Sequence, residues 1–261
     1  MSFDPTTIDF GRLGPAPQAR VVIVGGCGGI GRSVVKACVK TGLRTTVMDL
    51  AASYERHPSP NEADFVAIDA HDEPSIIAGY EKIGEQGEID ALINLVGYRD
   101  DLINVADRDS TSWDDVISGN LRSAFLICRH ALPRMAQASA IVNVSSGLAV
   151  RVLPGYAPYS AAKAGVIALT KGIATENAPR VRANAVAPAA VKTAFLAGGT
   201  GRVDDEEGDW DAQFSGYIKM TPMNRLAVAE DIVGPILFLA GPASCFMTGQ
   251  VLYVNGGGLT P

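Results

Sequence analysis

The stretch "VVIVGGCGGIGRSVV", residues 21–35, places five glycines directly after an apolar run. Glycine loses more conformational freedom on folding than any other residue, so this density indicates a backbone that must approach another group closely. A strand, a glycine-rich turn and a helix that begins near Ile30 direct backbone N–H groups and a helix amino terminus toward one point, which suits a pyrophosphate. The stretch therefore predicts a dinucleotide-binding loop in an α/β fold.

An acidic residue, Asp49, ends the second predicted strand, 18 positions after Gly31. A carboxylate at that place binds the two hydroxyls of an adenosine ribose and repels a 2′-phosphate. Because the loop has no Lys or Arg before Gly29, we expect NAD as the cofactor and NADP as the less favoured one. The alternative interpretation is a tight turn whose glycines serve only helix packing. Cys27, inside the loop, is either a small residue that fits or a redox-sensitive thiol.

The composition is that of an acidic globular chain. Its 261 residues carry a net charge of −6, and 47% of them are hydrophobic. This balance argues against a basic surface for nucleic acid or anionic membranes. The four cysteines are scattered without disulfide or metal-ligand spacing, and no apolar run is long enough to span a membrane. We therefore expect a cytoplasmic protein without a bound metal.

Short apolar runs alternate with segments of helical period along the chain. The runs are residues 20–24, 44–48, 64–68, 90–94, 140–144, 182–186 and 251–254. This alternation predicts a doubly wound parallel sheet of about seven strands with helices on both faces. We expect an amino-terminal arm over residues 1–17 and one domain over 18–261. Within it, residues 194–222 are expected to form a flexible flap that closes over the substrate site, with a linker between domains as the alternative.

The sequence "YSAAK", residues 159–163, places Tyr159 and Lys163 one helical turn apart on the same face. Lowering the pKa of a phenol from about 10 to near 7 requires roughly 4 kcal/mol. An ammonium about 5 Å away supplies roughly 3 kcal/mol at an effective dielectric constant of about 20. We therefore expect Lys163, together with the helix amino terminus and a cationic nicotinamide, to lower the pKa of Tyr159, which would act as a general acid and base.

Two further polar residues accompany this pair. Ser146 closes the strand "AIVNVSS", where its hydroxyl can hold a substrate oxygen beside Tyr159, although Ser145 is the competing candidate. Asn120 lies on the apolar stripe of a helix predicted from about 113 to 135, where an amide is unexpected and must find partners. It is either bonded to backbone or holds a water behind Lys163.

Several of these residues fall at the carboxyl ends of predicted strands, the edge at which open α/β sheets bind ligands. They are Gly25, Asp49, Asp69, Asn94, Ser146 and Pro188.

With these motifs in order, the chain resembles the classical short-chain dehydrogenase/reductase family over residues 18–259. The resemblance rests on "GGCGGIG", "AID" at 67–69, "NLVG" at 94–97, "GNLRSAF", "NVSSG", "YSAAK", "NAVAPAAVKT" at 184–193 and "GQVLYVNGGG" at 249–258. It implies a single-domain Rossmann-type fold and a catalytic tetrad of Asn120, Ser146, Tyr159 and Lys163. The cofactor residues it implies are Gly25, Cys27, Gly28, Gly29, Ile30, Gly31, Asp49, Leu50, Asp69, Ala70, Asn94, Val96, Gly97, Tyr159, Lys163, Pro188, Ala189, Val191 and Thr193.

The resemblance also implies hydride transfer between the cofactor and a secondary alcohol or its ketone, by a homotetramer or homodimer built on helices near 112–135 and 158–176. Besides Ser146, we expect the substrate to contact Leu148, Val150, Pro154, Tyr156 and Phe195, with Tyr98 or Arg99 at the rim. This mostly apolar lining, with the acidic stretch at 204–211, favours a neutral substrate. The alternatives are an NADPH-dependent 3-oxoacyl-(acyl-carrier-protein) reductase and a dinucleotide-binding sensor without turnover.

Overall fold

Seven strands form one sheet in the order β3-β2-β1-β4-β5-β6-β7, and every neighbouring pair is parallel. The computed structural model describes residue 9 and residues 11–197 and 209–259. The strands are β1 (Arg20–Val24), β2 (Arg44–Asp49), β3 (Ala63–Ala67), β4 (Ile89–Asn94), β5 (Met135–Val144), β6 (Val181–Pro188) and β7 (Val251–Val254). The predicted doubly wound parallel sheet is thus confirmed.

The helices cover both faces of the sheet. They are α1 (Gly29–Lys40), α2 (Ala51–Arg56), α3 (Glu73–Gly84), α4 (Ser110–Ile117), α5 (Ser123–Ala131), α6 (Ala157–Asn177), α7 (Trp210–Gln213), α8 (Ser215–Met220) and α9 (Ala229–Ala240). One buried cluster joins α1 and α9 to the sheet, and a second joins α3, α5 and α6 to it. Among the residues described, no helix combines the length and the apolar character needed to cross a bilayer.

The side chains of strand β1 contribute to both buried clusters. All five of its residues are buried, and successive side chains of a strand point to opposite faces. Val21 and Ile23 accordingly lie in the cluster with α1 and α9, whereas Val22 and Val24 lie in the other cluster. A continuous apolar run is what a strand covered on both faces requires.

The long helix predicted to end near Met135 is interrupted and ends earlier. A π-helical turn, Ser118–Arg122, separates α4 from α5, and a 3-10 turn, Leu132–Arg134, follows. Pro133 has no N–H to donate, so the helix stops there and Met135 already begins β5. Helix α6 agrees with its predicted bounds within one residue at each end.

The described part of the arm packs on its own chain. The backbone of Gly14 lies so close to Gly241, at the end of α9, that a side chain at Gly241 would collide with it. Of the predicted flap, the structure describes residues 194–197 and 209–222. Most of the acidic stretch at 204–211 lies outside the described residues.

Candidate active site

The glycine-rich turn follows β1 and opens α1. Gly25 has φ +83°, a conformation that side chains rarely adopt, and Gly31 would press a Cβ against the carbonyl oxygen of Gly25. The amino-terminal cap of α1 is Gly28, which supplies no side-chain hydrogen bond. The first N–H groups of α1 therefore stay available to an anion.

Asp49 lies beside this turn at the end of β2. Its Oδ2 accepts a hydrogen bond from the Cys27 N–H at 2.8 Å, and its Oδ1 accepts one from the Leu50 N–H at 2.7 Å. Burial raises the pKa of Asp49, and these hydrogen bonds oppose that shift. Burial and the nearby Asp49 raise the pKa of the Cys27 thiol to about 12. The thiol is therefore protonated at neutral pH, which argues against the redox-sensitive interpretation.

A cavity of about 760 Å³ runs from Asp49 past the glycine turn to Tyr159. Most of the residues predicted for cofactor and substrate line it. They are Gly25, Cys27, Gly28, Gly29, Ile30, Gly31, Asp49, Leu50, Asp69, Ala70, Val96, Gly97, Ser146, Leu148, Tyr156, Tyr159, Lys163, Pro188, Ala189, Val191, Thr193 and Phe195.

Three predicted lining residues lie elsewhere. Asn94 is buried, where its Nδ2 donates to Asn143 Oδ1 at 3.1 Å and its Oδ1 accepts from the Val96 N–H at 3.2 Å, so it shapes the loop after β4 without lining the cavity. Pro154 and Val150 are exposed to solvent, and Leu153 lines the cavity instead.

The structure brings Tyr159, Ser146 and Lys163 together at one end of the cavity. The Ser146 side chain lies close enough to the Tyr159 hydroxyl to lower its pKa, and Lys163 Nζ lies 5.8 Å from the centre of the tyrosine ring. Lys163 Nζ donates to the Val144 and Val96 carbonyl oxygens at 3.0 and 3.3 Å. The hydroxyl of Ser145 instead donates to the Lys163 carbonyl at 2.8 Å, so Ser146 is the serine beside Tyr159.

The predicted lowering of the Tyr159 pKa is wrong for the protein alone. Burial raises the pKa of Tyr159 above its usual value, and the Ser146 hydrogen bond and the charge of Arg99 only partly oppose it. Burial likewise lowers the pKa of Lys163 to about 8. Removing water from each group disfavours its charged form, because that form loses its hydration.

Asn120 lies in the π-helical turn, fully buried. Its Nδ2 donates to the carbonyls of Tyr98 and Val116 at 2.8 and 2.9 Å, whereas its Oδ1 has no partner among the described residues. A Cβ on Gly97 would lie 2.5 Å from this oxygen and 2.6 Å from Lys163 Nζ. The unpaired Asn120 Oδ1 and the Lys163 ammonium therefore both lie next to Gly97, which has no side chain to separate them.

Sequence reasoning missed several residues of the lining. Arg151 and Leu153 follow Ser146, and Phe214, Tyr217 and Met220 come from α8 and the turn before it. Phe214, Tyr217 and Met220 lie within the predicted flap, which is expected to close the pocket, but the local pattern does not indicate which of its side chains reach the cavity. No group of three or more potential metal ligands occurs in the portions of the chain that are described.

The residues present fit a nicotinamide dinucleotide. An uncapped helix amino terminus suits a pyrophosphate, Asp49 suits a ribose, and the orphaned oxygen of Asn120 and the ammonium of Lys163 lie at the opposite end.

Comparison with known proteins agrees with this architecture. A family model described as enoyl-(acyl carrier protein) reductase matches residues 25–258. The 3-oxoacyl-(acyl-carrier-protein) reductase FabG of Chlamydia muridarum is 30% identical, over 90% of this chain and 95% of the relative. Gluconate 5-dehydrogenase of Gluconobacter oxydans is 33% identical, over 92% and 94%.

A crystal structure from Brucella melitensis, titled as a short-chain glucose/ribitol dehydrogenase, superposes with a TM-score of 0.84 at 27% identity and covers 95% of this chain and 99% of that one. Fold, site geometry and relatives lead to one conclusion. The chain belongs to the classical short-chain dehydrogenase/reductase family of oxidoreductases.

Proposed function

We propose that this protein is an NAD-dependent dehydrogenase that interconverts a secondary alcohol and its ketone. The observation that carries the proposal is the grouping of Tyr159, Ser146 and Lys163 at one end of a cavity that continues past the glycine turn to Asp49. Acid–base groups beside an anion site match a reaction that moves a proton and a hydride together.

Different residues of the cavity would bind different parts of the cofactor. The N–H groups at Gly29–Gly31 would bind the pyrophosphate, Asp49 would bind the adenosine ribose, and Asp69 and Ala70 would border the adenine. Lys163 would bind the second ribose, while Val191 and Thr193, which lies against Gly29, would hold the carboxamide. A nicotinamide held in this way would supply the chemistry of accepting or returning a hydride.

The protein's own residues handle the substrate oxygen and its proton. The Ser146 hydroxyl holds the oxygen, and Tyr159 takes the proton in oxidation or gives it in reduction. Lys163 stabilises the phenolate that forms. The unpaired Oδ1 of Asn120 can accept a hydrogen bond from a water that also contacts Lys163, which gives the proton a route away from the site.

A second candidate is a 3-oxoacyl-(acyl-carrier-protein) reductase that uses NADPH, which the relative from Chlamydia muridarum favours. Asp49 argues against it, because a carboxylate held by two N–H groups at the ribose end repels a 2′-phosphate. Measuring the oxidation of NADPH in the presence of an acetoacetyl thioester tests this candidate.

The cofactor choice is tested by comparing NAD with NADP over a panel of secondary alcohols. We expect NADH formation with the wild-type protein and much weaker activity with NADP. Asp49→Ala should weaken NAD binding by about tenfold or more, because a hydrogen bond to a charged group contributes about 1.5–3 kcal/mol. The exposed Glu62→Ala is the matched control. An unaltered NAD-to-NADP ratio in Asp49→Ala would contradict the assignment.

We further propose a homotetramer, or a homodimer, in the cytoplasm. Two aromatic side chains support self-association, because Phe125 on α5 is 44% exposed and Phe246 is fully exposed in the single chain. The cysteines are unpaired, which suits a reducing compartment. Sedimentation equilibrium should give about four times the 27.3 kDa chain mass, or twice it for the dimer. A monomer at micromolar concentration would contradict the proposal.

A further inference from the structure

Arg99 lies two residues after Gly97, in the loop that leaves β4, and lines the cavity. Its Nη2 donates to the Leu196 carbonyl at 2.8 Å, and its Nη1 donates to the Asp100 carbonyl at 3.1 Å. The guanidinium carbon lies 6.0 Å from the centre of the Tyr156 ring. Two carbonyls and an aromatic face therefore hold the guanidinium in one place.

The charge of Arg99 is not neutralised by a carboxylate within the described residues. The carboxylate of its neighbour Asp100 is bound instead by the Arg108 guanidinium and, at 2.7 Å, by the Ser112 hydroxyl. Arg99 is nevertheless close enough to Tyr159 for its positive charge to lower the pKa of that phenol against the effect of burial. The Arg99 guanidinium, which has no carboxylate partner among the described residues, therefore lies near the Tyr159 phenol.

The described carboxylates that line the cavity lie elsewhere. Asp49 and Asp69 follow β2 and β3 at the adenosine end, and Asp115 on α4 accepts a hydrogen bond from the Tyr98 hydroxyl. In the flap, Asp211 is paired with Lys192 at 2.6 Å. A second guanidinium, Arg151, also lines the cavity and donates to the Gly258 carbonyl at 3.0 Å. Among the described residues, the lining near Tyr159 therefore includes two guanidinium groups that have no carboxylate partner.

We propose that Arg99 binds an anionic group of the substrate, and that the enzyme acts on hydroxy acids and the corresponding oxo acids. The inference rests on the proposed function and narrows its substrate class. A guanidinium has five N–H donors, of which two bond to the described carbonyls, so three remain for a carboxylate. Because Arg99 is already held in place, binding the anion costs little further ordering.

A purely structural role is the competing explanation. The bond to Leu196 joins the loop after β4 to the turn Ala194–Ala197, so that Arg99 would only fasten this turn over the cavity. Such a role predicts that removing the guanidinium harms charged and uncharged substrates equally. An anion-binding role predicts a loss confined to the charged ones.

The test compares hydroxy acids with their amides, which match in shape but lack the charge. The probes are lactate and lactamide, 3-hydroxybutyrate and 3-hydroxybutyramide, and gluconate and gluconamide, each with NAD. We expect kcat/KM for at least one acid to exceed that of its amide by about tenfold or more. Arg99→Gln should remove this preference by raising KM for the acid, whereas Arg99→Lys should retain part of it.

The control is Arg44→Gln, which removes an exposed arginine at the amino end of β2, the edge of the sheet away from the cavity. Circular dichroism and NADH binding establish that each variant is folded. Equal losses for acid and amide in Arg99→Gln, or an unchanged ratio, would overturn the proposal. Turnover of neutral alcohols without turnover of any acid would overturn it and leave the proposed function standing. No turnover with either cofactor on any alcohol or acid would overturn both.

Discussion

At the scale of single residues, burial controls the ionisation of the active-site pair. Tyr159 is 6% exposed and Lys163 is 3% exposed, and each loses hydration of its charged form. The pKa of Tyr159 is therefore raised while that of Lys163 falls to about 8. At neutral pH the protein alone holds a protonated phenol, which is ready to donate a proton to a ketone.

This ionisation predicts different pH dependences for the two directions of the reaction. Oxidation needs Tyr159 as a base, and because its pKa lies above the usual value, the phenolate fraction keeps growing as the pH rises. We expect kcat/KM for oxidation to increase from pH 6 to 9, and to increase less steeply above the Lys163 pKa of about 8. Ketone reduction should show no such increase. Initial rates at constant ionic strength measure both, and oxidation that slows with rising pH would contradict the assignment of Tyr159.

The sequence placed some site residues correctly and others not, for a geometric reason. Spacing along one helix face brings Tyr159 and Lys163 together, and strand ends bring Asp49 and Ser146 to one edge of the sheet. A strand end does not determine where a side chain points, so Asn94 bonds to Asn143 beneath the edge. The raised pKa of Tyr159 could not be predicted from the sequence either, because its burial depends on residues far away along the chain.

At the scale of elements, the π-helical turn Ser118–Arg122 positions Asn120. The apolar periodicity predicted a helix here, but it carries no signal for a wider turn. Within this turn Gly119 makes room for other elements, since a Cβ there would collide with the ring of Tyr98 and lie 2.8 Å from His71 Nε2. Only the folded chain brings those rings against the turn.

The start of α1 gives a prediction for stability. A Cβ at Gly31 would collide with the Gly25 carbonyl and lie 2.8 Å from the carbonyl carbon of Gly26, and backbone cannot move aside cheaply. Gly31→Ala should therefore lower the free energy of unfolding by about 3 kcal/mol. The control is Gly84→Ala, at the end of α3, whose nearest group is Arg134 Nε at 3.8 Å. That variant should be neutral or more stable by up to about 1 kcal/mol. Urea unfolding measures both, and equal effects would contradict the packing argument.

At the scale of the whole molecule, the order of strands creates the site. β1 lies between β2 and β4, so the connections that leave β1 and β4 diverge to opposite faces and open a crevice at their carboxyl ends. The alternation of strands and helices predicted the parallel sheet, and its motifs predicted this edge. The flap and the place of Arg99 at the rim were expected, but the side chains that α8 contributes and the absence of a carboxylate partner for Arg99 among the described residues could not be predicted, because both depend on how distant loops pack.

The central claim is that, in this crevice, a hydride passes from the carbinol carbon of the substrate to the nicotinamide while Tyr159 removes the hydroxyl proton. The most direct measurement supplies the best alcohol found for the wild-type protein, deuterated at the carbinol carbon, and analyses the reduced cofactor by mass spectrometry. The account predicts deuterium in the NADH, and a rate at least about a hundredfold lower for Tyr159→Phe although that variant still binds NADH. Unlabelled NADH, or an undiminished rate in Tyr159→Phe, would contradict it.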